Sequence, residues 1–171
     1  MTADTLLWWG FMGTGKSTVG RSVAEKARVR FVDLDAVIEE KHGRISAIFS
    51  DRSEQTFREI ERTELRSLLA ADGRRVVALG GGALIDDALR EQALKCAFVV
   101  TLCASVDTIV ERTVGSARPL LLVDDPRARV TALLAERATA YASTHAQIDT
   151  DRCTPGVVAD AVLLRWSPSQ R

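Results

Sequence analysis

The chain has no excess of charge of either sign. Its 23 Lys and Arg residues balance 23 Asp and Glu residues, for a formal net charge of zero. A broad basic face for nucleic acid or a membrane surface is not expected, so any anion site must be local. Cysteine is scarce: Cys96, Cys103 and Cys153 form no C-x-x-C pair, and an odd, sparse count fits a reducing cytoplasm better than secretion. Cys96 and Cys103 flank or sit in an apolar strand, where each is expected as a small core residue. The two histidines, His42 and His145, lack metal-ligand spacing and are expected at the surface. No apolar run approaches the roughly 20 residues of a membrane span. The early Asp4 and the lack of a long apolar h-region give no sign of a signal peptide. There is no internal repeat and no linker, so residues 1–171 are expected to form one domain and one monomer.

What is present is ordinary for a globular chain: 46% hydrophobic and 27% charged residues. One stretch is not ordinary. Gly10-Phe11-Met12-Gly13-Thr14-Gly15-Lys16-Ser17 fits G-x-x-x-x-G-K-[ST], the phosphate-binding P-loop. Gly10 and Gly15 let the backbone turn tightly beside an anion. The N–H groups of the turn and the start of the following helix then supply positive potential. Lys16 brings a mobile charge to the outer phosphates, and Ser17 a hydroxyl for Mg²⁺. Gly13, Thr14, Gly15, Lys16, Ser17 and Thr18 are the expected ATP contacts. The flanks agree, with a short apolar strand at 5–9 and a helix over 17–28 whose Val19, Val23 and Ala27 share a face.

Apolar strands alternate with amphipathic helices along the chain, the pattern of an α/β fold with a parallel sheet. Strands are expected at 5–9, 30–33, 76–79 and 97–102, and a short fifth around Ile148. The second closes on Asp33-Leu34-Asp35. Ligands of such sheets sit beyond the carboxyl ends of the strands. There one carboxylate can hold Mg²⁺ through water and the other can accept a hydroxyl proton. The plainer alternative has Asp35 capping the next helix and Asp33 solvated. A later helix, capped by Ser53 and running to about Ala71, carries Arg58 between Glu54 and Glu61, four and three residues away on one face. This is either a salt-bridged surface or an arginine held straight to grip a carboxylate. The third strand runs directly into Gly80-Gly81-Gly82, which makes sense where backbone passes close to something flat or anionic. Ser105 is expected to cap a helix running through Val114, with Arg112 near its end. Residues 113–126, containing Arg118-Pro119 and several leucines, interrupt the alternation and read as a mobile lid that excludes water and brings Arg118 to a transferring phosphoryl group. A long helix over 127–144 turns Leu133, Leu134 and Ala138 inward and sets Arg137 one turn from Tyr141. Pro155 opens the last helix.

Together these motifs resemble shikimate kinase over nearly the whole chain, from Leu6 to about Leu164. The P-loop alone points only to a nucleotide-binding superfamily. The specific part is Asp33-x-Asp35, Phe57-Arg58-x-x-Glu61, the three glycines, Arg118-Pro119-Leu120-Leu121 and Arg137-x-x-x-Tyr141. The resemblance implies a three-layer P-loop kinase fold, with a five-stranded parallel sheet flanked by helices and a mobile lid. It implies a substrate-binding helical segment at about 34–62, and Mg²⁺-dependent transfer from ATP to the 3-hydroxyl of shikimate, in chorismate and aromatic amino-acid biosynthesis. Asp35, Arg58, Gly80, Gly81, Gly82 and Arg137 would contact shikimate, with Arg58 and Arg137 on its carboxylate and Glu61 orienting Arg58. Ser17 and Asp33 would serve Mg²⁺, Lys16 and Arg118 the phosphates. Arg112 and the segment from Arg152 to Pro155 would border the adenine. The chain departs from the family at Ser53, where Gly is usual, at Thr139-Ala140, where Pro-Leu is usual, and at the bulky Trp8-Trp9. Another small P-loop kinase, acting on gluconate or a nucleoside monophosphate, and a non-catalytic nucleotide-binding module are the alternatives.

Overall fold

A computed structural model describes residues 3–113, 123–151 and 153–166. The elements are β1 (Thr5–Trp9), α1 (Lys16–Ala27), β2 (Arg30–Asp33), α2 (Leu34–His42), α3 (Ile45–Asp51), α4 (Glu54–Ala70), β3 (Arg75–Ala78), α5 (Asp87–Cys96), β4 (Phe98–Cys103), α6 (Val106–Thr113), α7 (Pro126–Ala142), β5 (Ala146–Asp149) and α8 (Pro155–Leu163). The five strands are all parallel, in the order β2-β3-β1-β4-β5. This is the expected P-loop kinase architecture, with strand and helix ends displaced by a residue or two.

Strand β1 shows why both faces are covered. Side chains alternate across a strand, and here both sets are apolar. Leu6 and Trp8 join a cluster with Val19, Val23 and Ala24 of α1 and Val158, Ala159 and Val162 of α8. Leu7 and Trp9 join the opposite cluster, built with residues of α2 to α7 such as Leu34, Phe57, Leu89, Ile109 and Leu133. The two tryptophans are fully buried on opposite faces. The sheet is thus the middle of three layers, and its central strand delivers the glycine-rich loop at its carboxyl end.

Local chemistry fixes the helix starts. Ser53 caps α4 by accepting the Thr56 N–H at 3.0 Å. Its φ of 179° is ordinary extended backbone, so the glycine usual at this position is not required. Asp33, not Asp35, caps α2: its Oδ1 accepts the Asp35 N–H at 3.2 Å. A cap precedes the first helical residue, and the helix begins at Leu34. Ser105 accepts the Thr108 N–H at 3.2 Å, as expected of a cap before α6. Two expectations fail on burial. Cys96 is exposed, because it closes α5 before the strand starts. Ala138 is exposed too: the inward stripe of α7 is Val130, Leu133, Arg137 and Tyr141. Most of the expected lid, residues 114–122 with Arg118, lies outside the described residues, as does Arg152.

Arg75, at the start of β3, is buried without a carboxylate. Its guanidinium donates to the carbonyls of Leu68 at 3.1 Å, Ala71 at 2.8 Å and Gly73 at 2.9 Å, and also to that of Asp72. These oxygens belong to the end of α4 and the turn after it, where a cation offsets the helix dipole. Removing the donor leaves several carbonyls unpaired. Arg75→Ala is expected to lower stability by about 2–3 kcal/mol, seen as a lower denaturation midpoint at unchanged slope. A change under about 0.5 kcal/mol, the scatter of neutral surface substitutions, would rule this anchor out.

Candidate active site

A cavity of about 650 Å³ opens beyond the carboxyl ends of β1, β2 and β3. One end is the P-loop. Gly10 has φ 128°, and a Cβ there would lie 2.2 Å from the Leu102 carbonyl oxygen. Only glycine lets the loop leave β1 against β4. Gly15, at φ 89°, is the N-cap of α1 and brings no side-chain acceptor, so the first N–H groups of that helix are left to an anion. The Lys16 ammonium donates to the carbonyls of Gly10 at 2.9 Å and Phe11 at 2.8 Å, which sets its charge beside the loop. Thr14 is buried and braces the turn through its hydroxyl, 2.8 Å from the Phe11 carbonyl. Gly13, Lys16, Ser17 and Thr18 line the cavity.

The Ser17 hydroxyl donates to Asp33 Oδ2 at 2.8 Å. The sequence separates these residues by 16 positions, and the sheet brings them together. Two hard oxygen donors side by side fit Mg²⁺. Among the described residues no group of three or more His, Cys, Asp or Glu could hold a metal, so the remaining ligands of Mg²⁺ there would be phosphate oxygens and water. Arg112 reaches the loop from α6. It donates to the Gly13 carbonyl at 3.2 Å and to Thr150, through its hydroxyl at 3.3 Å and its carbonyl at 3.2 Å. Buried Thr150 in turn donates to the Thr14 carbonyl at 3.3 Å and the Cys103 carbonyl at 3.0 Å. Thr150 was not legible from sequence as a support for the loop. Pro155 starts α8 at the surface and is not part of the cavity wall.

At the other end, the turn after β3 lies against three helices. A Cβ on Gly80 would stand 2.6 Å from Glu61 Oε1 and 3.3 Å from Asp35 Oδ1. One on Gly82 would stand 2.4 to 2.7 Å from the Arg58 guanidinium, and one on Gly81 3.6 Å from Arg137 Nη1 and 3.3 Å from the Gly10 carbonyl oxygen. The glycines are therefore required by close approach, not by their dihedrals. Arg58 and Arg137, from α4 and α7, converge on one turn, and that turn touches the P-loop. Both arginines also border a smaller adjoining cavity of about 310 Å³. Apolar walls come from Met12, Ile45, Phe49 and Phe57. Arg58 lies over the Phe57 ring at 5.1 Å.

Arg58 donates to Glu61 at 2.7 Å and to Glu54 at 3.2 Å. Burial works against its charge, but Glu61 and then Glu54 outweigh it and raise its pKa. Glu61 is 2% exposed, and its Oε1 is buried without a hydrogen-bond partner among the described residues. Burial raises its pKa most, Arg58 opposes this, and the nearby Asp35 carboxylate adds to the rise. Farther along α4, buried Glu64 accepts from Lys41 at 2.6 Å and lies 2.9 Å from the His42 ring nitrogen. That contact ties the end of α2, which begins beside Asp35, to the helix of Arg58. The fixed arginine fork suits a carboxylate, and a P-loop beside it suits a polyphosphate.

The family model for shikimate kinase matches residues 12–166. The shikimate kinase of Salinibacter ruber is 43% identical over 164 residues, covering 90% of this chain and 80% of that protein. That of Thermodesulfovibrio yellowstonii is 41% identical, covering 92% and 91%. Among solved structures, the shikimate kinase from Acinetobacter baumannii in complex with shikimate superposes with a TM-score of 0.90 at 34% identity, covering 96% of this chain and 93% of that one.

The raised pKa of Glu61 has a sign that can be measured. A carboxyl whose pKa is higher folded than unfolded contributes most to stability below its unfolded value, and that contribution is lost as pH rises through the folded value. Against Glu61→Gln, which does not titrate, the wild-type chain is expected to lose relative stability as pH climbs from about 4 upward. Paired denaturation curves across that range check it; a stability difference that stays flat or moves the other way would contradict the assignment.

Proposed function

The chain belongs to the shikimate kinase family, and on that premise we propose that its cavity transfers the γ-phosphoryl group of ATP to the 3-hydroxyl of shikimate. The enzyme is an ATP-dependent shikimate kinase of the shikimate pathway. The observation that carries the detailed reading is the convergence of Arg58 and Arg137 on one glycine turn that also touches Gly10 of the P-loop.

Phosphoryl transfer needs alignment and charge neutralisation more than covalent help. Arg58 and Arg137 hold the shikimate carboxylate, and Glu61, with Glu54, keeps the Arg58 fork in place. Asp35 and the Gly80–Gly82 turn hold ring hydroxyls. Asp35 orients the acceptor hydroxyl and takes its proton. Gly13, Thr14, Gly15, Lys16, Ser17 and Thr18 cradle the phosphates, and Arg112, Arg152 and Pro155 border the adenine. Ser17 and Asp33 hold Mg²⁺, which when bound neutralises charge on the phosphate oxygens. Arg118, within the segment outside the described residues, approaches the phosphates from a lid over 113–126. The enzyme works as a monomer in the cytoplasm; among the described residues no helix is long and apolar enough to cross a membrane.

ADP release with MgATP and shikimate, set against gluconate and nucleoside monophosphates as acceptors, is expected to select shikimate. Turnover confined to one of the other acceptors would overturn the reading, and tight ATP binding with no turnover on any acceptor would favour a non-catalytic module. An arginine acting at transferring phosphates contributes on the order of 10³–10⁵ in rate, so Arg118→Ala is expected to lower turnover by several orders of magnitude. Near-normal turnover would remove Arg118 from the mechanism. Arg58→Ala and Arg137→Ala are expected mainly to raise the shikimate KM, and an unchanged KM would count against the carboxylate clamp.

A further inference from the structure

Trp8 and Trp9 are adjacent, both are fully buried, and their surroundings differ. Trp8 packs near Phe31 and Gly20, and its indole nitrogen is buried with no hydrogen-bond partner among the described residues. It is filling. Trp9 instead donates its indole N–H to the carbonyl oxygen of Gly81 at 3.2 Å. The Tyr141 hydroxyl donates to the same oxygen at 2.9 Å. The two rings meet edge to face, with centroids 4.6 Å apart. One carbonyl in the middle of the glycine turn is therefore gripped by two rigid donors, from β1 and from α7.

We propose that Trp9 is a positioning residue for the acceptor: together with Tyr141 it fixes the Gly81–Gly82 peptide so that the Gly82 N–H is presented to the cavity beside Arg58. The peptide is trans, and in a trans peptide the N–H points away from the C=O of the same unit. With the oxygen held by Trp9 and Tyr141 on the core side, the N–H of Gly82 turns to the cavity that Gly82 lines. A turn of three glycines has no side chains to hold its own orientation, and its backbone freedom is large. The clamp supplies the missing restraint. No other aromatic residue type combines a face for Tyr141 with an N–H at that reach; phenylalanine keeps only the face. Trp9 never touches the substrate, so its effect travels entirely through the Gly81 carbonyl.

The proposal rests on the shikimate reading of the cavity, and the experiment separates the two. Wild-type enzyme is first assayed with MgATP and shikimate; absence of turnover sinks that reading and the clamp with it. With turnover in hand, Trp9→Phe and Trp8→Phe are compared, the same chemical change at neighbouring buried positions. Loss of one neutral hydrogen bond to the turn is expected to raise the shikimate KM by about three- to tenfold in Trp9→Phe. The ATP KM stays within about twofold, because Lys16 and the P-loop are untouched. Trp8→Phe, which loses an unpaired donor and some buried volume, is expected to keep both KM values while its melting temperature falls. Trp9→Phe behaving as Trp8→Phe would overturn the clamp while leaving the kinase reading intact. So would a rise in both KM values together with a fall in melting temperature, the mark of a loosened β1. Should Trp9→Phe not fold, benzothienylalanine at position 9, a tryptophan isostere with sulfur in place of the N–H, carries the same test, with a selective rise in the shikimate KM supporting the clamp and an unchanged one overturning it.

Discussion

A carboxylate that water barely reaches organises the acceptor half of this protein. Glu61 sits 2.7 Å from Arg58 with almost no exposure, close beside the backbone of Gly80. Burying an ion pair carries a desolvation cost that its own attraction need not repay. Its return here is geometric. Glu54 and Glu61 hold the Arg58 guanidinium, and the turn after β3 passes so near it that a Cβ on Gly82 would have to displace it. Gly80 and Gly82, with the acids either side of Arg58, fit a pair whose carboxylate is buried and whose guanidinium keeps one side open to the cavity.

The phosphate half is held differently. It uses main-chain groups and neutral donors more than ion pairs. Thr14, Thr150 and Arg112 tie the loop to β4 and α6 through carbonyls, and Ser17 binds Asp33 across two strand ends. Such a frame sets the N–H groups at the start of α1 and the Lys16 charge beside the loop, where fixed dipoles in a partly dry site would act strongly on an anion. Gly10 and Gly81 bring the halves into contact.

Much of this was legible from sequence, because its signals are local or periodic. The P-loop is a fixed spacing, the strands are short apolar runs, and Arg58 with Glu54 and Glu61 follows helical geometry. The parallel sheet followed from the order of the elements, and the family from the motifs placed along it. What escaped were partnerships across the chain. Asp33 and Asp35 are two positions apart, and nothing in that spacing tells which of them caps α2. Thr150 lies 136 positions from the carbonyl of Thr14 that it binds. Trp9 could be recognised only as bulky, since the Gly81 carbonyl it holds is 72 positions away. Cys96 failed because it closes α5 before the strand begins, and Ala138 because the helical stripe of α7 turns Arg137 inward and leaves its neighbour outside.

The alternation of β1 sends Leu6 and Trp8 to one layer and Leu7 and Trp9 to the other. Helices α1 and α8 back the first, and the helices bearing Asp35, Arg58 and Arg137 stand on the second. A substitution in α1 or α8 thus reaches the Gly80–Gly82 turn only through the sheet, whereas one in α2, α4 or α7 meets that turn directly.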